Sequence, residues 1–528
     1  MNLINEPWIP VHLRDGTTKL ITPWQLTVTE NPVVALDAVR PDFNAALLQF
    51  LIGLLQTAAS PTTEEEWVDW LETPPTPDDL KDRFTPYSYA FDLQGPHGSF
   101  MQDLNTLHNS GFTGIAQLLI EAPGDNAIKN NKDLFIKRGQ IDAICPSCTT
   151  IALLTLQINA PAGGQGHRTS LRGGGPLSTL VVPDEQAELP DDLWRRVWLN
   201  VLSSSDMAAL SGDENRLAPA DLFPWLAASR TSEKTGGQET TPLDAHPLQM
   251  YWAMPRRIRV EWDTGLSGQC DICNASAKNL ISQYSTQNYG INYTGAWRHP
   301  LSPYSVTANG DWLAQHAQPG GLTYQHWLRL AMHDSNQEPT YFNAITVARY
   351  LRISKDWEES LRLHVFGYDM DNMKARCWYE ATFPLLTVPE AIRFEFSKRV
   401  QTLTETAGEF AGFVRSTVKD AWFKRPKEAK GDLSFLTKSF YQNTETDFFS
   451  AVRELQIKLA NGTDREVLND WHQTLLKAAV TIFDYWAASG DIAQANPRRV
   501  ALARNKLFQL AYSNKIKQAL QLPPKSKP

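Results

Sequence analysis

The sequence predicts an α+β chain, with a large mixed α/β domain over residues 1–388 followed by an all-α four-helix bundle over 389–528. Three observations carry this reading. The N-terminal part opens on a short alternating hairpin and continues into a helix that is apolar on most sides. After Pro384 and Pro389 the apolar spacing becomes helical in four successive segments. The charge also changes sign there. From residue 391 onward there are 22 Lys/Arg against 14 Asp/Glu, a balance of +8, whereas the preceding 390 residues carry 28 against 44, a balance of −16. The net charge of −8 and pI of about 5.8 conceal this asymmetry. A basic terminal domain suits a phosphate backbone or an acidic subunit, and equally a solvated surface.

In chain order, residues 8–13 (WIPVHL) alternate loosely, Asp15-Gly16 is a turn dipeptide, and residues 19–21 return antiparallel. Residues 45–58 form a buried helix too short to span a bilayer. Acidic residues and prolines over 64–83 suggest a helix and a surface loop. Residues 203–245, rich in Ser, Asp, Pro and Gly with few periodic apolar positions, read as a surface insertion. The bundle helices are expected over 391–423, 433–459, 466–487 and 497–520. Thr463 with Glu466 makes a capping-box pattern for the third, and Asn496 before Pro497 starts the fourth. Trp471, Phe483 and Trp486 are read as core.

At 528 residues and 42% hydrophobic content the chain can bury a large core in two or more domains. Mean hydropathy is −0.35. No run approaches the ~18 apolar residues of a membrane span, and the first residues lack a signal-peptide pattern. A soluble cytoplasmic protein is expected, in a reducing compartment where paired cysteines favour metal over disulfide.

Four of the five cysteines form two Cys-x-x-Cys hooks, Cys145/Cys148 and Cys270/Cys273. Two intervening residues let the backbone turn and present both sulfurs to one ion, so the hooks can close on one tetrahedral zinc. They are 121 residues apart, which is not the spacing of a compact zinc finger, so they share an ion only where the fold brings them together. Redox pairs or unrelated thiols are the alternatives. Four thiolates would leave no position for water, which indicates a structural zinc, not a catalytic one. Cys377 has no spaced partner and reads as a small core residue.

No enzyme motif stands out. Walker, dinucleotide, His-Glu-x-x-His and Gly-x-Ser-x-Gly patterns are all missing. Three segments point instead to nucleic acid. Residues 129–139 place Phe135 among basic residues including Lys137 and Arg138, a pattern able to stack on a base and neutralise phosphates. A short anchoring strand over 134–136 is the alternative. Residues 160–176 (APAGGQGHRTSLRGGGP) offer Gly163, Gly164, Gln165 and Gly166, a stretch slim enough to approach a groove, with His167, Arg168 and Arg172 for phosphates. A purely structural turn would explain the glycines as well. Residues 366–380 place Asn372, Met373, Lys374 and Arg376 after a glycine-led turn. Asn can read minor-groove edges, Met can part base steps, and the cations can hold phosphate. An ordinary hairpin leading into a buried Trp378 is the competing reading.

Taken in order, these segments resemble the CasA family, the large subunits of the type I-E CRISPR surveillance complex Cascade. The likeness rests on the start MNL-x4-WIPV, the first hook running into CTTIALL, residues 160–174, the second hook, Trp297-x-His299-Pro-x-Ser302-Pro303, Gly367-Tyr368 and the terminal bundle. It implies a non-catalytic subunit of an RNA-guided antiviral assembly that reads a short flanking motif (PAM) in double-stranded DNA. Gly163 to Gly166 and Asn372 with its neighbours would enter the minor groove and start strand separation for R-loop formation. The loop around Phe135 would meet the guide end. The implied partners are the guide-RNA ribonucleoprotein's backbone, base and small subunits and a recruited helicase-nuclease. Two features depart from the family. Residues 282–289 carry no motif-probing lysine, which leaves Gln287 or Asn288 for that role, and the wedge offers Asn372 where some members have glutamine. A zinc-stabilised scaffold of another ribonucleoprotein and an undetected nucleic-acid hydrolase remain the alternatives.

Overall fold

The structure is a computed structural model that describes residues 1–522 apart from 108–110, 132, 134–137, 186–188, 209, 211, 333–339, 354–360, 372–373, 429 and 491–495. The chain divides into two compact units. One comprises Met1–Ala317 with Ser335–Thr382, and the other Gln318–Asp334 with Phe383–Pro528.

The first unit mixes helices with several small sheets, as its patterning indicates. The strand Ile9–Leu13 pairs antiparallel with Thr18–Ile21 through the Asp15-Gly16 turn and, on its other edge, with Val33–Leu36. The helix Pro41–Ala58 is buried along nearly its whole length. Its Phe50 meets Trp8 at 5.1 Å, Trp252 at 5.8 Å, and Phe91 and Phe100 at 5.9 Å, all edge-on, the geometry that aromatic quadrupoles favour. Residues 64–83 contribute two capped helices, Glu64–Glu72 and Pro77–Phe84, which bury Trp67, Leu71, Leu80 and Phe84.

The expected surface insertion at 203–245 is corrected by its middle. Phe223 and Trp225 are fully buried in the aromatic cluster, with Trp225 5.2 Å from Phe100 and its Nε1–H donating to Ala90 O at 2.7 Å. The buried residues sit around Pro224 in a 3₁₀ turn, so they leave no helix or strand period in the sequence.

The second unit is helical. Arg393–Trp422, Ser434–Ala460, Arg465–Ala488 and Pro497–Ala511 pack together, and the last segment breaks at Tyr512 and Ser513 before a short helix, Asn514–Ala519. The first helix buries Phe396, Val400, Leu403, Ala407, Phe410, Ala411, Val414, Val418 and Ala421, a stripe at three- and four-residue spacing. Trp471 is buried and donates from Nε1 to Leu403 O at 3.0 Å. Phe483 is buried too, whereas Trp486 is only half-buried. Residues 318–334 join this unit although they precede the bundle by some 60 positions. Tyr324 stacks on Phe448 at 4.2 Å and shares a 2.7 Å hydrogen bond with Thr444, and Trp327 donates to Pro384 O.

Asn496 caps its helix, accepting from Arg499 N at 3.0 Å, with Pro497 in the first turn. The Thr463–Glu466 capping box does not form. Asp464 takes the N-cap position, and the Glu466 carboxylate pairs with Lys458 Nζ at 2.6 Å. Among the described residues, no helix is long and apolar enough to cross a membrane.

Candidate metal centre and nucleic-acid interface

Local backbone chemistry shapes each cysteine hook. Cys145 is the N-cap of the helix Pro146–Asn159, and its Sγ accepts from Cys148 N at 3.4 Å. Pro146 takes a first-turn position where a missing N–H costs nothing. The second hook joins the strands Leu266–Gln269 and Ser276–Leu280. Cys270 N donates to Ala275 O and Asn274 N to Cys270 O, both at 2.9 Å, and Asn274 turns the chain at φ +60°. Two further contacts bind the hooks together. Ile144 and Ile281 exchange backbone hydrogen bonds of 2.9 and 2.8 Å, and the Asp271 carboxylate accepts from Asp142 N and Ala143 N at 2.7 Å each.

All four sulfurs lie within 4.8 Å of one another, and Cys145 Sγ is 3.7 Å from Cys273 Sγ. Thiolates at about 2.3 Å from a tetrahedral ion stand roughly 3.8 Å apart, so the donor set fits one ion with every position filled. The thiols are electrostatically interdependent. Hydrogen bonds from Cys145, then Cys270 and Cys273, hold the Cys148 thiol well above its ordinary range, while those from Cys145 and Cys148 push Cys270 down. A cation among them removes the conflict by stabilising all four thiolates together.

The glycine loop is clamped on two sides. Gly166 O accepts from Tyr289 N, Gln165 O accepts from Asn288 Nδ2, and Gln165 Nε2 donates to Tyr289 Oη, each at 2.7 Å. Gly166 has φ +77°, and a Cβ there would lie 3.0 Å from Asn288 and from the Tyr289 ring. On the other side Arg256 donates to Pro161 O and meets His167 Nδ1, both at 2.5 Å. Burial, then the Arg256 charge, lowers the His167 pKa and keeps that nitrogen free to accept. Gly164 differs from its neighbours, being exposed with nothing within 4 Å of where its Cβ would be.

The cations near this loop do not all face outward. Arg168 is tied to Ser232 Oγ and O at 2.7 and 2.8 Å. Arg172 is buried and donates to Ser178, Ser302 and Gln49. Both serve structure where the sequence suggested phosphate contacts.

The loop's stem rests against the long hairpin. Its strand Leu361–Asp371 pairs with Ser178–Pro183, and Lys374–Leu385 forms the outer edge. Gly175, at φ +62°, lies where a Cβ would come within 2.6 Å of Tyr368, and one at Gly367 would come within 2.7 Å of Pro176 O. Tyr368 donates to the buried Asp42 at 2.6 Å, and Arg40 bridges Asp42 and Glu121. Asn372 and Met373, the expected wedge, lie outside the described residues. Lys374 is exposed, while Arg376 is held by Asp369 at 2.6 and 3.1 Å, which makes it a brace of the hairpin. Trp378 is half-buried and stacks on Phe366. Cys377 is exposed, contrary to the core reading, because it lies on the outer face of this edge strand.

Phe135 and Lys137 also fall outside the described residues. Arg138 is seen, and it binds Asp133 through two nitrogens, at 2.6 and 2.7 Å, and reaches Ile128 O and Asn131. Sequence reasoning missed Arg256 as the loop's brace. It sits beside a buried strand, Arg257–Val260, and nothing local distinguishes it from its basic neighbours.

Residues 2–482 match the CRISPR-associated protein Cse1 family. Among solved structures, Cse1 of Thermobifida fusca superposes with a TM-score of 0.69 at 14% identity, covering 99% of this chain and 98% of that one. CasA of Thermus thermophilus gives 0.63 at 17% identity over 97% and 99%. A chain of a CRISPR RNA-guided surveillance complex gives 0.60 at 14% over the same shares. At such identities the structural likeness speaks for the fold.

Proposed function

The chain belongs to the CRISPR-associated protein Cse1 family, and on that premise we propose that it is the non-catalytic large subunit of an RNA-guided DNA surveillance complex in the cytoplasm. It reads the short flanking motif of foreign double-stranded DNA through the minor groove and starts strand separation for R-loop formation. Its partners are the guide-RNA ribonucleoprotein, with its backbone, base and small subunits, and a helicase-nuclease recruited afterwards. The relatives in the surveillance complex support the assembly, and the family match supports the role.

The observation that carries the reading is the exposed Gly164 on a loop clamped at both flanks. A slim, rigid stretch of backbone can enter a groove about 6 Å wide without an ordering cost on binding. Gln287 and Asn288, both exposed beside it, are suited to replace a motif-probing lysine. Asn372 and Met373, with Lys374 as the adjacent cation, supply the wedge, and the loop containing Phe135, Lys137 and Arg138 meets the guide end. The basic bundle helps hold the opened strands.

Cys145, Cys148, Cys270 and Cys273 hold a structural zinc, the ion favoured by a closed four-thiolate set. It keeps the second hook beside the helix that leads into the glycine loop and supplies no reaction.

The test reconstitutes the complex around the chain and measures capture of a guide-matched duplex with varied flanking pairs. Gly164→Val has room in the fold, so assembly should stay normal while capture falls by about tenfold or more, the scale of losing one specific base contact. Asn372→Ala with Met373→Ala should likewise assemble and capture poorly. Wild-type capture by both variants would sink the minor-groove reading.

A further inference from the structure

Beneath the stem of the glycine loop lies a buried cation without a buried anion. Arg172 is 6% exposed, and its acceptors, Ser178 Oγ and Ser302 Oγ at 2.9 Å and Gln49 Oε1 at 2.5 Å, are all neutral. Among the described residues no carboxylate pairs with it. Burial pulls its pKa down to about 10, which still leaves it charged at neutral pH. A buried charge is normally paired, because losing water around an unpaired ion is costly.

The surroundings do not offset that charge. His299 is 3% exposed and held well below its usual pKa by burial, with a further push from Arg172, so it stays neutral. Its Nδ1 already accepts from Leu301 N at 3.2 Å. Among the described residues the buried Tyr251 hydroxyl has no hydrogen-bonding partner, and burial raises its pKa, so it stays protonated as a donor without an acceptor there.

These groups line one cavity of about 20 Å³, together with Gln49, Gln157 and Ser170. That space is enough for a guest of water or halide size.

We propose that this cavity binds one small monovalent anion of the halide class, chloride in the cell, between the Arg172 guanidinium and the Tyr251 hydroxyl. The anion supplies the charge that Arg172 lacks and the acceptor that Tyr251 lacks. Ser170 and Arg172 follow the glycine loop directly, and Ser170 Oγ closes its stem by donating to Gly173 O, so the anion also stabilises the loop's base. The site is independent of DNA and of the cysteine hooks.

The test measures the thermal midpoint of the full chain at constant ionic strength while sodium gluconate is exchanged for sodium bromide. A saturable rise of about 2 °C or more is expected for the wild type. Tyr251→Phe, which removes only the unpartnered hydroxyl, should fold normally and lose most of the response. Arg172→Met should lose all of it if it folds. Crystals grown in bromide should show an anomalous peak within hydrogen-bonding distance of Arg172. Equal midpoints in both salts, an undiminished response in Tyr251→Phe, or a cavity holding water without an anomalous peak would each overturn the proposal.

Discussion

The hooked hairpin and the terminal bundle both hold distant parts of the chain in place, by opposite means. Leu266–Gln269 is exposed at every position, and Ser276–Leu280 buries only Leu280. Apolar burial along these strands cannot fix that hairpin, so the Ile144–Ile281 and Asp271 hydrogen bonds hold it, together with the proposed ion among the four sulfurs. The bundle has no such staple and spreads its cohesion over long apolar stripes and inter-helix hydrogen bonds such as Trp471 to Leu403. The comparison teaches that a few directional ligands can replace a core where a surface element must stay polar. Dispersed packing, in turn, tolerates the loss of any single contact better.

The largest expected effect separates the two directly. On the proposed zinc reading, Cys270→Ser, or a strong chelator, should release the ion and raise amide hydrogen exchange through Leu266–Leu280, leaving exchange in the bundle unchanged. Structural zinc contributes on the order of 10–16 kcal/mol in finger peptides, so the hairpin should melt locally instead of weakening slightly. Equal loosening of the bundle would break the distinction. Next in size, Trp471→Ala should lower the bundle's stability by about 3–5 kcal/mol, read by denaturant titration, with metal content unaltered.

Acid sharpens the contrast further. Burial, then the Arg329 charge, pushes the His326 pKa down to about 3 in the folded unit, below its unfolded value of about 6.5. The unfolded chain therefore binds this proton more readily. Its contribution to stability is fully present above about pH 6.5 and is lost at about 1.4 kcal/mol per pH unit as pH falls toward 3. His326→Gln should flatten that slope in a pH series of unfolding curves. The smallest effect is local. Asn496→Ala removes the cap on Arg499 N and should cost about 1 kcal/mol, seen as fraying of Pro497–Ala511 with the hooks untouched.

Legibility followed the range of each interaction. The bundle helices were readable because their apolar residues repeat every three or four positions, and Asn496-Pro497 marks a start through its own backbone chemistry. Thr463 and Glu466 carried the same kind of signal and misled, because Lys458, on the preceding helix, competes for the Glu466 carboxylate. Phe223 and Trp225 gave no periodic cue at all, and their burial depends on Phe91, Phe100 and Trp252 from elsewhere in the chain. At the candidate interface the glycines stood out by composition. Which of them is free, Gly164, and which is docked, Gly166, depends on Asn288 and Tyr289 more than 120 residues away.

By itself the sequence determined the ligand chemistry of the two hooks, the mixed-then-helical order of elements and the apolar stripes of the bundle. These follow from residue type and from spacings of a few positions, which any extended chain already contains. Only the tertiary structure decided that the four sulfurs converge, that Arg168 and Arg172 turn inward, that Arg256 braces the glycine loop and that residues 318–334 pack with the bundle. Each of those outcomes depends on a partner brought near by folding, and the burial, charge and hydrogen bonding that partner supplies cannot be read from the residue alone.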